Sequence, residues 1–224
     1  GGRMRSVPTD VENTRNMIAT MKRIKVMACM ALLLGGLCNV SAADRAGEIL
    51  GRVADGFRTM KRYTVRFEIV ADDYRTAGGY AVSDGNYRLY LGDDAEVFSD
   101  GKVRYEVDHR RGEVTISEVN RSSRNILDNP VRAFDFLDSE YAFTLEWERD
   151  GKACVRLTPT DGSNAASGEV TLTVDTASMR PLSLAYDYDG ERVDVSVEAI
   201  EPNADAYRAF DRKACDGYEF IDFR

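Results

Sequence analysis

Histidine is almost missing from this 224-residue chain: there is one, His109, together with a single tryptophan, five prolines and four cysteines. A histidine-based triad or dyad needs a base held against a nucleophile and oriented by a third group. His109 instead sits in a His109-Arg110-Arg111-Gly112 turn, where a solvated side chain is the expectation. Transition-metal sites draw on spaced His and Cys, and neither Cys154 nor Cys215 has a second such residue nearby. The acidic pairs Asp72-Asp73, Asp93-Asp94 and Asp187/Asp189 lack the oxygen-ligand run of a calcium loop and read as turn residues. No glycine-rich phosphate loop leads into a helix. The expectation is a protein that is not an enzyme, with no catalytic residue, no cofactor and no metal.

Long apolar runs are scarce too. The longest, Val26 to Leu37, is about a dozen residues, short of the roughly 20 that span a bilayer. It follows Met21, Lys22, Arg23 and Lys25 and precedes Val40-Ser41-Ala42, the layout of a cleaved secretory signal peptide. Residues 1–20 therefore read as a leader or a mis-called start, residues 21–42 as the signal peptide and residues 43–224 as one domain. Residues 1–42 hold six basic and two acidic residues, so their removal takes the formal net charge from −8 to −12. Such a chain is repelled by nucleic acid and anionic lipid surfaces. Two cysteines remain, Cys154 and Cys215. In an oxidising compartment an even number suggests a structural disulfide, with two buried free thiols as the alternative.

What the chain has in abundance is Asp-Gly, seven times: Asp55-Gly56, Asp84-Gly85, Asp100-Gly101, Asp150-Gly151, Asp161-Gly162, Asp189-Gly190 and Asp216-Gly217. Most join stretches of alternating apolar and polar residues, the pattern of consecutive β-hairpins. Asp55-Gly56 is the exception. It lies inside a helical pattern that starts near Asp44 and puts Ile49, Leu50, Val53, Phe57 and Met60 on one face. A glycine there signals close packing on a sheet or a weak second half of the helix.

From Tyr63 the period is two. Tyr63, Val65, Phe67 and Ile69, then Tyr80 and Val82, then Tyr87, Leu89 and Leu91 alternate with polar residues, and Val97-Phe98, Val103-Tyr105-Val107 and Val114-Ile116 continue the series. After Glu118 the alternation stops. Asn129-Pro130 opens a short oily helical stretch with Phe134 and Leu137, preceded by Ile126 and Leu127. Strands resume at Phe143-Leu145-Trp147 and run to Val193-Val195-Val197, without βαβ alternation. The fold class is mainly β: one curved antiparallel sheet of about 10–11 strands with one oily and one wet face. A helix precedes it and an oily insertion at about 121–138 interrupts it. The two helical stretches either seal the oily face as plain core or leave a cavity for an apolar guest.

Several motifs arrive in an order that resembles the LolA family of periplasmic lipoprotein carriers. Ser99-Asp100-Gly101-Lys102 before Val103-Arg104-Tyr105 is similar to that family's SDGK hairpin, and Asn129-Pro130 opens the central helix as it does there. Met179-Arg180-Pro181-Leu182, Phe210 and Gly217–Arg224 resemble its closing strands and tail. The resemblance implies an incomplete β-barrel whose apolar side is closed by the first helix and a lid at 121–138. It implies a periplasmic, monomeric carrier. Such a carrier takes acylated lipoproteins, or another lipid, from an inner-membrane ABC exporter to an outer-membrane acceptor. Acyl chains would then bind among Phe67, Tyr80, Tyr87, Leu89, Tyr105 and Ile116 and the lid residues Ile126, Leu127, Phe134 and Leu137. In the family an arginine entering the second hairpin ties the lid shut; Val82-Ser83-Asp84-Gly85-Asn86 has none, and Arg88 is offset from its place. The same half-barrel also resembles RseB-type stress sensors, so an envelope-stress sensor or interaction domain is the alternative.

Overall fold

A computed structural model describes residues 45–72, 74–119, 141–160, 168–188, 190–203 and 207–224. The leader, the signal peptide, Asp44, Asp161-Gly162 and the whole expected lid, with Ile126, Leu127, Phe134 and Leu137, lie outside the described residues.

The described chain opens with helix α1, Arg45–Thr59. Its apolar residues recur every three to four positions, so Ile49, Leu50, Val53 and Phe57 are buried on one side, and Ala46, Gly47, Gly51 and Ala54 fill the space between them. Asp55-Gly56 lies in this helix, as its pattern indicates, but Gly56 is exposed and a Cβ there would meet nothing within 4 Å. Close packing therefore does not explain that glycine.

Twelve strands follow: β1 Arg62–Ala71, β2 Tyr74–Ser83, β3 Asn86–Leu91, β4 Ala95–Ser99, β5 Val103–Asp108, β6 Glu113–Glu118, β7 Tyr141–Arg149, β8 Lys152–Pro159, β9 Val170–Asp175, β10 Arg180–Tyr188, β11 Glu191–Pro202 and β12 Glu219–Asp222. They form one open, curved sheet in the order β12-β6-β5-β4-β3-β2-β1-β11-β10-β9-β8-β7. Adjacent pairs are antiparallel except β12, which lies parallel to β6. Twelve strands exceed the expected 10–11. The extra one, β12, has only four residues and places Phe220 and Ile221 side by side, so no alternation marks it.

Two of the Asp-Gly turns show why the dipeptide recurs. Asp84 and Gly85 have φ of 50° and 85°, and Asp150 and Gly151 have 51° and 71°. Both central positions of a two-residue hairpin are then left-handed, a conformation glycine tolerates freely and Asp better than most residues. Beside the first turn, β2 carries Gly78 and Gly79. The Phe67 ring lies across Gly78, where an added Cβ would stand 2.5 Å from Phe67 Cε2, and the Tyr90 ring covers Gly79 from the opposite side. Any side chain at either glycine would displace an aromatic ring.

The expected disulfide is not formed. Cys154 on β8 and Cys215 in the short 3-10 turn Arg212–Cys215 are both buried free thiols, one near each end of the strand order. Burial pushes both thiols above their ordinary range, with Glu146 adding to the effect at Cys154 and Glu96 and Asp211 at Cys215. A thiol held protonated in this way is a weak nucleophile.

Candidate functional site

Cross-strand partners in a sheet project to the same face, so the pairing register sorts every strand residue onto the face that packs α1 or onto the opposite, outer face. On the helix face one row is apolar across six strands: Ile69, Val195, Leu184, Leu172, Val155 and Leu145. Toward β6 three parallel rows extend. The first runs Tyr63, Val82, Tyr87, Ser99, Arg104, Ser117; the second Val65, Tyr80, Leu89, Val97, Glu106, Thr115; the third Phe67, Gly78, Leu91, Ala95, Asp108, Glu113. The apolar floor thus extends from β7 to β4 and ends along a line between β4 and β5.

An aromatic chain crosses the floor. Phe57 of α1 meets Tyr63 edge-on with ring centroids 5.5 Å apart, Tyr63 lies 6.5 Å from Tyr80, and Tyr80 stacks on Tyr87 at 5.6 Å. Burial drives the Tyr63 and Tyr80 hydroxyls well above the usual phenol range, so the floor carries no charge.

Four of the six candidate strand residues, Phe67, Tyr80, Tyr87 and Leu89, meet in this buried cluster with α1. Tyr105 and Ile116 do not. They lie on the outer face in a second cluster with Phe98, Val107, Val114 and Phe220 of β12, roofed by Phe210, Cys215 and Tyr218. Phe210 stacks on Tyr105 at 4.1 Å and meets Phe98 edge-on at 5.7 Å. The reason is the loop between β4 and β5. Ser99 pairs with Arg104, so four residues intervene where the β3–β4 connection, pairing Leu91 with Ala95, has three. That change reverses the parity, and Val103, Tyr105 and Val107 face outward. Asp100 shapes the loop by accepting hydrogen bonds from the backbone N–H groups of Lys102 (2.9 Å) and Val103 (2.8 Å). Burial disfavours its ionised form, but these bonds outweigh that and hold the carboxyl below its usual range.

Sequence reasoning missed what replaces the oily residues on the helix face beyond β4. Ser99 and Arg104, cross-strand partners, are the only polar residues in the buried set among the described residues, at 1% and 7% exposure. Arg104 pairs with Glu106 on its own strand. Beside them lies a cleft of about 70 Å³ lined by Ala95, Val97, Glu106, Asp108, Arg111, Glu113 and Thr115 among others. The signal was present in the adjacent pair Val97-Phe98, which puts apolar residues on both faces of β4.

His109 is not a free turn residue. Its Nδ1 is 2.9 Å from the Tyr218 hydroxyl and its Nε2 3.2 Å from Glu96, so it ties the C-terminal segment to β4 on the outer face. Glu96 also holds Arg88. Arg88 pairs across the sheet with Phe98 and faces outward, so it cannot stand in for a lid-closing arginine on the helix face.

No family model and no curated protein matches this sequence. Solved structures do resemble it. An uncharacterized conserved protein from Thermus thermophilus has a TM-score of 0.50 and 12% identity, over 80% of this chain and 99% of that one. A LolA superfamily protein from Nitrosomonas europaea has a TM-score of 0.36 and 16% identity, over 76% and 97%. The Pseudomonas aeruginosa MucA/MucB complex has a TM-score of 0.41 and 19% identity, over 77% of this chain and 61% of that one. At these identities the likeness is one of fold alone, and the Thermus structure carries it.

Proposed function

We propose that this protein is a non-enzymatic carrier of the bacterial periplasm that holds acyl chains on the helix face of its sheet. In this reading it shields the chains of lipoproteins, or of another lipid, between an inner-membrane exporter and an outer-membrane acceptor. The observation that supports the reading is the floor itself, a continuous uncharged surface of aromatic and branched side chains from β7 to β4. The nine strands from β7 to β4, about 4.8 Å apart, extend roughly 38 Å, whereas a helix of 15 residues is about 22 Å long, so α1 is too short to span the floor by itself. Each methylene transferred from water to such a floor is worth about 0.8 kcal/mol. The floor residues are buried, so a guest enters by displacing what covers them, and binding is coupled to opening. No step of this cycle needs a nucleophile, a general base or a cofactor.

Mass spectrometry of lipid extracted from natively purified protein tests the proposal, with acylated species expected at near-stoichiometric yield. A companion experiment places Trp at Leu89, which fills the floor without adding charge. It is expected to lower acyl-probe affinity at least tenfold while the circular dichroism spectrum is kept. Absence of lipid together with no affinity for any acyl probe would reject the carrier in favour of an interaction domain.

A further inference from the structure

The three cross-strand rows on the helix face change character at the same place, between β4 and β5. Tyr87 gives way through Ser99 to Arg104 and Ser117, Leu89 and Val97 to Glu106 and Thr115, and Leu91 and Ala95 to Asp108 and Glu113. One continuous surface is therefore apolar over β7–β4 and polar over β5 and β6, with the cleft on the dividing line. Burying a guanidinium is costly even when it is paired, and an apolar residue at Arg104 would be the cheaper way to extend the floor. Resting on the carrier reading, we infer that β5 and β6 seat the polar head of the amphiphile whose acyl chain lies on the floor. The head is neutral or zwitterionic, not anionic.

The charge on this face of β5 and β6, with the turn between them, sets that preference. Arg104 pairs with Glu106, and Arg111 lies 2.8 Å from Glu113. Asp108 accepts hydrogen bonds from the backbone N–H groups of Arg110 and Arg111, each at 3.0 Å. Three carboxylates thus stand against two guanidiniums, all with partners. An anionic head meets net repulsion, whereas a zwitterion or a hydrogen-bonding neutral group exchanges one set of partners for another. The geometry fits: β5 to β1 is four strand spacings, roughly 19 Å, so a head over β5 and β6 leaves its chain along Tyr87 and Tyr80.

Titration calorimetry with monomeric probes sharing one palmitoyl chain tests this. The probes are lysophosphatidylethanolamine, a palmitoylated peptide without charged side chains, and lysophosphatidylglycerol. The first two are expected to bind at least tenfold tighter than the third, and the tighter of the two identifies lipid or lipoprotein as the source of the head. Glu113→Gln removes one half-buried carboxylate beside Arg111 and is expected to strengthen lysophosphatidylglycerol binding, narrowing the gap to under threefold with the melting temperature unchanged. Equal affinity for all three probes overturns the head site and leaves the carrier standing. Failure of every probe to bind overturns both.

Discussion

The sheet carries two apolar clusters, one on each face, and they are built differently. The larger lies on the helix face, is contributed by nine strands and α1, and includes Phe67, Ile69 and Val195 with no measurable exposure. The smaller lies on the outer face of β4, β5, β6 and β12 and is roofed by the C-terminal segment through Phe210, Cys215 and Tyr218. Its members Tyr105, Phe210, Tyr218 and Phe220 are only half-buried. The first is a shared core whose loss reaches most of the sheet. The second fastens a tail to one end of the sheet, and that difference predicts how each responds to damage.

Removing Phe67 has the largest expected effect. Phe67→Ala deletes a fully buried ring that also covers Gly78, and a loss of about 3–5 kcal/mol is expected in urea unfolding. All amide protection should fall together, because the floor is common to both halves of the sheet. Phe210→Ala is expected to cost about 1–3 kcal/mol, from a partly exposed ring stacked on Tyr105. Here hydrogen exchange should quicken in residues 207–224 and β6 while α1 keeps its protection. Loss of α1 protection in Phe210→Ala would show that the two clusters are one cooperative unit.

The smallest effect belongs to the loop that separates them. Asp100→Ala removes two hydrogen bonds to Lys102 and Val103, a loss of about 1 kcal/mol or less given the exposure of the site. Because the folded carboxyl lies below its ordinary range, its contribution is present above the unfolded value near pH 4 and disappears as pH falls through the folded one. The stability gap between native chain and variant should therefore be full at pH 7 and closed under strongly acidic conditions. A gap independent of pH would mean that Asp100 acts through loop shape and not through its charge.

Much of this was legible in the chain. The helix, the strands other than β12 and the hairpin turns follow from period, Asp-Gly chemistry and left-handed tolerance, because each is decided within a few neighbouring residues. The candidate floor was half legible. Phe67, Tyr80, Tyr87 and Leu89 share a face through two-residue turns and tight pairing, whereas Tyr105 and Ile116 would join it only if the alternation continued across the β4–β5 loop, whose length reverses it. Counting the residues between Ser99 and Arg104 requires the pairing, which only the folded sheet supplies. The partners of His109 are hidden from the sequence for a similar reason: Glu96 and Tyr218 are 13 and 109 residues away.

By itself the sequence determined that this is a mainly β protein with an N-terminal helix and one oily face, since hydrophobic period and turn chemistry are local properties. Only the tertiary structure decided which face each oily residue serves, that the two cysteines stay apart, and that a short parallel strand closes one edge. Those outcomes depend on register and on which distant segments meet, and a single residue more or less in one loop inverts them.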